Sequence, residues 1–128
     1  MKLLVDTCTF LWVALGDPRL SGRARALIAD GDNDVFLSAA SAWEISVKHG
    51  LGRLSLPAPP SVYIPDVRTR HRIEPLPIDE EAALALERLP PLHHDPFDRI
   101  LICQAIVHGL VLLTPDEQIT RYPIRTAW

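Results

Sequence analysis

The sequence predicts a three-layer α/β/α domain with a central parallel sheet. Short apolar segments, such as 3–5 and 110–113, alternate along the chain with longer segments of amphipathic or buried helical character. The apolar segments are continuous rather than alternating in polarity, as expected for parallel strands that helices cover on both faces. A length of 128 residues fits one domain, which we expect to span residues 1–128.

The first half of the chain predicts two strands and three helices, each with a local stop or start signal. Gly16 and Pro18 end the first helix, Ser21 can cap the second, and Gly50 closes the third. In chain order the elements are a strand at 2–5, a helix at 7–15, a helix from 21 to about 29, a strand at 34–37 and a helix from Ser41 to about His49.

The second half predicts a weaker edge strand and a long final helix. Pro75 and Pro77 confine the segment 73–78 to a sheet edge. Asp95 and Pro96 are a capping residue and a first-turn proline, which predict a helix running to His108. The remaining elements are a proline-rich loop at 54–60, a short helix at 61–70, a helix at 80–89 capped by Asp79, a loop at 90–94, a strand at 110–113, a helical turn at 115–120 and a last strand at 123–126.

Composition points to an ordinary globular protein. Hydrophobic residues make up 48% of the chain and charged residues 23%, and no apolar run approaches the roughly 20 residues of a membrane helix. Asp6 interrupts the apolar start, so we predict no secretory signal and a cytoplasmic location. Cys8 and Cys103 have neither disulfide-framework nor zinc spacing. A net charge of −3 counts mildly against a nucleic-acid partner without excluding it.

Four acids are predicted to lie near the carboxyl edge of the sheet. Asp6 and Asp116 follow strands, whereas Glu44 and Asp98 lie on helices whose starts can overhang that edge. In open α/β folds, ligands bind beyond the carboxyl ends of the strands. Converging carboxylates repel one another and require a cation, and their oxygens suit Mg²⁺ or Mn²⁺. Such an ion can activate water for attack on a phosphodiester.

Each acid except Asp6 also has a structural interpretation as part of a helix cap. Ser41 and Glu44 have the spacing of a capping box, and Asp98 lies in the first turn after Asp95. Asp116 repeats this pattern after Thr114 and Pro115. Asp6 is harder to explain in this way, because a carboxylate at the end of a buried strand is costly without a partner.

The basic residues and histidines are ambiguous. Lys48, Arg53 and Arg99 are candidates for RNA phosphate contact, but solvated charges or ion pairs explain them equally well. The pair His93 and His94 lacks a third ligand at a transition-metal spacing, so we assign it to the turn before the long helix.

The motifs together resemble the PIN-domain family of VapC toxins over essentially the whole chain. The resemblance rests on Leu-Val-Asp-Thr at 4–7, Ser-Ala-Trp-Glu-Ile at 41–45, His-Asp-Pro-Phe-Asp-Arg at 94–99 and Leu-Leu-Thr-Pro-Asp at 112–116. The Asp-Pro-Phe-Asp-Arg motif is specific, whereas the opening motif alone is weak. Cys8 departs from the His that relatives often carry two residues after the first Asp.

The resemblance implies a PIN-like fold and a metal-dependent endoribonuclease that acts as the toxin of a type II toxin–antitoxin pair. It places the metal-binding and catalytic acids at Asp6, Glu44, Asp98 and Asp116, supported by Thr114 and Asp95. It implies Mg²⁺ or Mn²⁺ as cofactor, RNA (with tRNA a candidate) as substrate, a VapB-like antitoxin, and a homodimer or a toxin–antitoxin hetero-oligomer. The alternative is a non-catalytic PIN-like module that binds RNA or a protein.

Overall fold

The computed structural model of the protein describes all residues, 1–128. It contains five strands and seven α-helices: β1 (Lys2–Val5), α1 (Thr7–Leu15), α2 (Gly22–Ala29), β2 (Asp34–Ser38), α3 (Ala39–Gly50), α4 (Pro60–His71), β3 (Ile73–Leu76), α5 (Glu80–Ala85), α6 (Pro96–His108), β4 (Val111–Leu113), α7 (Glu117–Thr120) and β5 (Thr126–Ala127). A 3-10 turn, Leu86–Arg88, follows α5. None of these helices combines the length and the apolar character that crossing a bilayer requires.

All strand pairs of the single sheet are parallel, as the sequence predicted. The strand order is β3-β2-β1-β4-β5, so β1 lies at the centre and β3 at an edge. Leu3 pairs with Val35 on one side and with Val111 on the other. The carboxyl ends of β1, β2 and β4 therefore meet at one edge of the sheet.

Two hydrophobic cores, one on each face of the sheet, explain the continuous apolar strands. Successive strand residues point to opposite faces. Leu3 and Val5 belong to the core that packs against α1, α2 and α4, whereas Leu4 belongs to the core that packs against α6. All three side chains are fully buried. The arrangement of helices on both faces is the predicted three-layer architecture.

Several helix boundaries and caps differ from the sequence predictions. The helix α3 begins at Ala39 with Ser38 as its N-cap, so the capping box of Ser41 and Glu44 does not form. Asp116 is itself the N-cap of α7 and binds the backbone N–H of Gln118, whereas Thr114 was predicted to be the cap. The predicted helix 80–89 is shorter and ends in the 3-10 turn. The last strand lies at 126–127 rather than at 123–126.

Candidate metal centre

Asp6 lies where the central strand β1 passes directly into α1. Its Oδ1 accepts a hydrogen bond of 2.7 Å from the backbone N–H of Thr9, so the residue is the N-cap of α1. Its Oδ2 accepts a bond of 2.5 Å from the hydroxyl of Thr114. Only 5% of the residue is exposed. Burial raises its pKa above the ordinary value, although the bonds from Thr114 and Thr9 lower it.

Thr114 connects Asp6 to Asp116. Its hydroxyl donates to Asp6 and accepts a 3.1 Å hydrogen bond from the backbone N–H of Asp116. The residue itself is buried directly after β4. The negative charge of Asp116 contributes to the raised pKa of Asp6, so the two carboxylates act on each other electrostatically. The predicted supporting position of Thr114 is therefore a physical link between two of the four acids.

Glu44 is held by partners on α1 and α3 rather than by a capping box. The Thr7 hydroxyl donates a 2.7 Å hydrogen bond to its Oε1, and Lys48 contacts its Oε2 at 2.5 Å. The Ser41 hydroxyl lies 2.9 Å from that of Thr7. Since a carboxylate only accepts, Thr7 donates to Glu44 and Ser41 donates to Thr7. The buried Glu44 side chain is thus held in one orientation, with the Lys48 ammonium beside it.

Asp98 and Asp116 lie close to His93, which was predicted only to form the turn before α6. His93 Nε2 lies 2.8 Å from Asp98 Oδ2. One ligand atom from each of His93, Asp98 and Asp116 can be chosen so that all three lie within 4.8 Å of one another. All three residues are partly buried. The spacing of five residues between His93 and Asp98 could have suggested a contact between these two side chains. Asp116, the third member of the group, is distant in the sequence.

The loop 89–93 that carries His93 is anchored by Tyr122 and Arg99. The Tyr122 hydroxyl accepts hydrogen bonds from the backbone N–H groups of Leu92 and His93 and donates a 2.7 Å bond to the carbonyl of Pro90. The Arg99 guanidinium donates to the carbonyls of Pro90 and His93. The Arg99 guanidinium therefore holds the loop, and its predicted contact with RNA stays a prediction.

The other predicted site residues have separate positions. Asp95 is the N-cap of α6 and accepts from the backbone N–H groups of Phe97 and Asp98, as predicted. Lys48 is bound to Glu44, and half of its side chain is exposed. Arg53 is exposed and belongs to no salt bridge. Lys48 and Arg53 therefore remain accessible cations beside α3.

Burial and mutual repulsion raise the pKa of several groups in this region. Burial, with the nearby charges of Asp95 and Glu44, raises the pKa of Asp98 to about 6, although the bond to His93 lowers it. Burial and the charges of Asp6 and Glu44 raise the pKa of Cys8 to about 11. The Cys8 side chain is therefore a neutral thiol at physiological pH and not a thiolate nucleophile.

The donor set fits a divalent cation. The ligand atoms of His93, Asp98 and Asp116 lie within 4.8 Å of one another, Asp6 is linked to this group through Thr114, and the charge of Glu44 acts on Asp98. Carboxylates whose pKa is raised by burial and repulsion are destabilised as anions, and a cation reverses this effect.

Comparison with protein families identifies the domain. The family model described as PIN domain matches residues 3–124. Ribonuclease VapC16 of Mycobacterium tuberculosis is 44% identical to this chain over 66 residues, which cover 48% of this chain and 47% of that protein. The chain thus matches about half the length of this curated relative.

Solved structures share the fold at low sequence identity. VapBC2 from Rickettsia felis, bound to a DNA fragment from its promoter, superposes with a TM-score of 0.75 at 15% identity and covers 99% of this chain and 98% of that chain. DNA-bound VapBC from Salmonella typhimurium gives a TM-score of 0.68 at 22% identity, with 99% and 97% covered. At these identities the likeness establishes the shared fold.

Proposed function

Because the chain belongs to the PIN domain family, we propose that it is a metal-dependent endoribonuclease and the toxin of a type II toxin–antitoxin pair. The observation that carries the proposal is the group of Asp98, Asp116 and His93, joined through Thr114 to the buried Asp6 at the carboxyl edge of a parallel sheet. The likeness to Ribonuclease VapC16 over half of the chain supports RNA as the substrate.

We infer a division of roles among the residues of the site. Asp6, Asp98 and Asp116 hold the cation, for which we expect Mg²⁺ or Mn²⁺. A bound divalent cation supplies Lewis-acid activation of water for attack on a phosphodiester. Thr114 fixes the orientation of the Asp6 carboxylate, while Thr7 and Lys48 fix that of Glu44. We infer that Glu44 positions the attacking water from the α3 side.

The accessible cations beside the acids are candidates for binding the RNA backbone. Lys48 and Arg53 are exposed on and after α3, the helix that also carries Glu44. Cations in this position offset the repulsion between the acidic site and phosphates. We propose that they bind phosphates on either side of the cleaved bond, with tRNA as the candidate substrate.

We further propose that the chain forms a homodimer and binds a VapB-like antitoxin in the cytoplasm. The similar solved structures are of VapBC and FitAB proteins, which supports an antitoxin partner. Trp43 and Val47 share one face of α3, Leu51 follows at its C-cap, and the three residues are 61%, 40% and 62% exposed. An exposed apolar stripe of this kind is typical of a protein interface. Dimer formation or antitoxin docking would cover it.

Cleavage of total RNA by the purified, antitoxin-free protein tests the proposed activity. We expect discrete fragments that require Mg²⁺ or Mn²⁺ and disappear in Asp6→Asn, Asp98→Asn and Asp116→Asn. Asn is as good an N-cap as Asp, so the variants at Asp6 and Asp116 remove charge while keeping their helix caps. Asp66→Asn, at an exposed surface ion pair, is the matched control that should cleave normally.

A folded wild-type protein that cleaves no RNA with either ion would contradict the nuclease proposal. Retained RNA or antitoxin binding under those conditions would support the non-catalytic module instead. Circular dichroism of each variant separates loss of chemistry from loss of fold.

A further inference from the structure

We propose that His93 is a direct ligand of the bound cation and that its nitrogen gives this site a preference for divalent transition-metal ions over Mg²⁺. The inference rests on the proposed metal-dependent function and extends it to a residue outside the four acids. It follows from the closeness of His93 to Asp98 and Asp116 and from the hydrogen bonds that hold its loop.

The spacing of the three groups matches one coordination sphere. Ligand atoms about 2.1 Å from a single ion lie roughly 3 Å apart when adjacent and about 4.2 Å apart when opposite. The ligand atoms of His93, Asp98 and Asp116 all lie within 4.8 Å of one another, and the first two are 2.8 Å apart. Shifts of a few tenths of an ångström would bring all three to one ion.

The loop is built to hold His93 in this place. Its backbone N–H is bound by the Tyr122 hydroxyl at 2.9 Å, and its carbonyl is bound by Arg99 at 3.2 Å. Both sides of the His93 main chain are therefore fixed to elements that follow it in the sequence. The neighbouring His94 is exposed and has neither contact. His93 is therefore held in place, and its side chain is only 16% exposed. These two properties indicate a specific role for its ring.

The donor chemistry determines the metal preference. Mg²⁺ binds oxygen ligands and gives up its water reluctantly, whereas imidazole nitrogen favours transition-metal ions. A site of one imidazole and two or three carboxylates therefore selects Mn²⁺, Fe²⁺ or Co²⁺ over Mg²⁺ more strongly than carboxylates alone. When Nε2 binds the ion, the neutral ring carries its hydrogen on Nδ1.

Pulsed electron paramagnetic resonance of the Mn²⁺-loaded protein tests this ligand assignment directly. We expect nitrogen-14 modulation from a coordinated imidazole in the wild-type protein and its loss in His93→Gln. Titration with MnCl₂ should show a Mn²⁺ affinity weaker by about 10- to 100-fold in His93→Gln, the range seen when metal-site partners are removed. Mg²⁺ affinity, measured by displacement of Mn²⁺ with MgCl₂, should change less than about threefold. His94→Gln is the matched control and should behave as the wild type.

The possible outcomes distinguish the two proposals. Wild-type protein that binds Mn²⁺ without nitrogen-14 modulation would overturn the assignment of His93 and leave the carboxylate site in place. Wild-type protein that binds neither Mn²⁺ nor Mg²⁺ would overturn the proposed metal-dependent function and this inference with it. If His93→Gln folds poorly, nitrogen-14 modulation that persists in His94→Gln supports His93 as the ligand, and absence of the modulation from the wild type overturns that assignment.

Discussion

Replacement of Asp98 by Asn should abolish cleavage and yet stabilise the metal-free protein. Burial in the folded state raises the pKa of the Asp98 carboxyl from 3.8 to about 6. Ionisation of Asp98 at neutral pH therefore destabilises the folded state. A pKa raised from 3.8 to about 6 corresponds to about 3 kcal/mol at neutral pH. Solvent screening of the exposed part of the side chain reduces this, and we expect Asp98→Asn to gain about 1 to 2 kcal/mol.

The pH dependence gives the sign of the effect. Because the folded-state pKa is the higher one, the contribution of Asp98 to stability is fully present below about pH 4. It is lost as the pH rises through about 6. The stability advantage of Asp98→Asn should therefore be small at pH 4 and reach its full value by pH 8. Asn can still accept the hydrogen bond from His93, so the comparison isolates the charge.

Urea unfolding in EDTA at several pH values measures this difference. Saturation with MnCl₂ should reverse the order of stability, because ligand at 100 times its dissociation constant stabilises the wild type by about 2.7 kcal/mol. The exposed Asp66→Asn is the control and should track the wild type throughout. Equal or lower stability of Asp98→Asn at pH 8 in EDTA would refute the reasoning.

Three further substitutions test the supports of the site. Tyr122→Phe leaves the backbone N–H groups of Leu92 and His93 without their acceptor. It should lower the free energy of unfolding, measured in urea, by about 1 to 3 kcal/mol. An unchanged value would show that the Tyr122 hydroxyl does not anchor the loop. Ser38→Ala removes the N-cap of α3 and should lower the free energy of unfolding by about 1 kcal/mol in the same assay. No loss of stability would indicate that Ser41, and not Ser38, is the N-cap. Thr114→Val removes the hydroxyl that donates to Asp6 and should weaken Mn²⁺ binding, measured by calorimetry, by about tenfold. An unaltered Mn²⁺ affinity would show that Asp6 does not need this hydrogen bond for its orientation.

The sequence predicted the sheet and the helices well because their signals are local. The apolar strands, the Asp95-Pro96 start of α6 and its end at Gly109 are short-range patterns, and the structure confirms them. The start of α3 was wrong because Ser38 and Ser41 are both good caps. The choice between them depends on where β2 stops pairing with β3, which is a tertiary property.

The closeness of Asp98 and Asp116 agrees with the predicted sheet edge, but the contacts that surround these acids could not be predicted. Strand ends in a parallel sheet share an edge, so the placement of Asp6 and Asp116 followed from topology. The grouping of His93 with Asp116 joins chain segments on either side of α6, and no spacing rule describes such a contact. The hydrogen bonds of Arg99 could not be predicted for a similar reason, because its carbonyl partners belong to the folded loop.

The central place of β1 in the sheet has a consequence for the newly made chain on the ribosome. Asp6 receives its hydrogen bond from Thr114, which is 108 residues further along. At a synthesis rate of about 5 to 20 residues per second, roughly 5 to 20 seconds separate the translation of these residues. Until β4 has emerged and docked beside β1, Asp6 lacks its contact with Thr114 and the nearby charge of Asp116. Translation that stops before Thr114 thus yields fragments unable to assemble the acidic site.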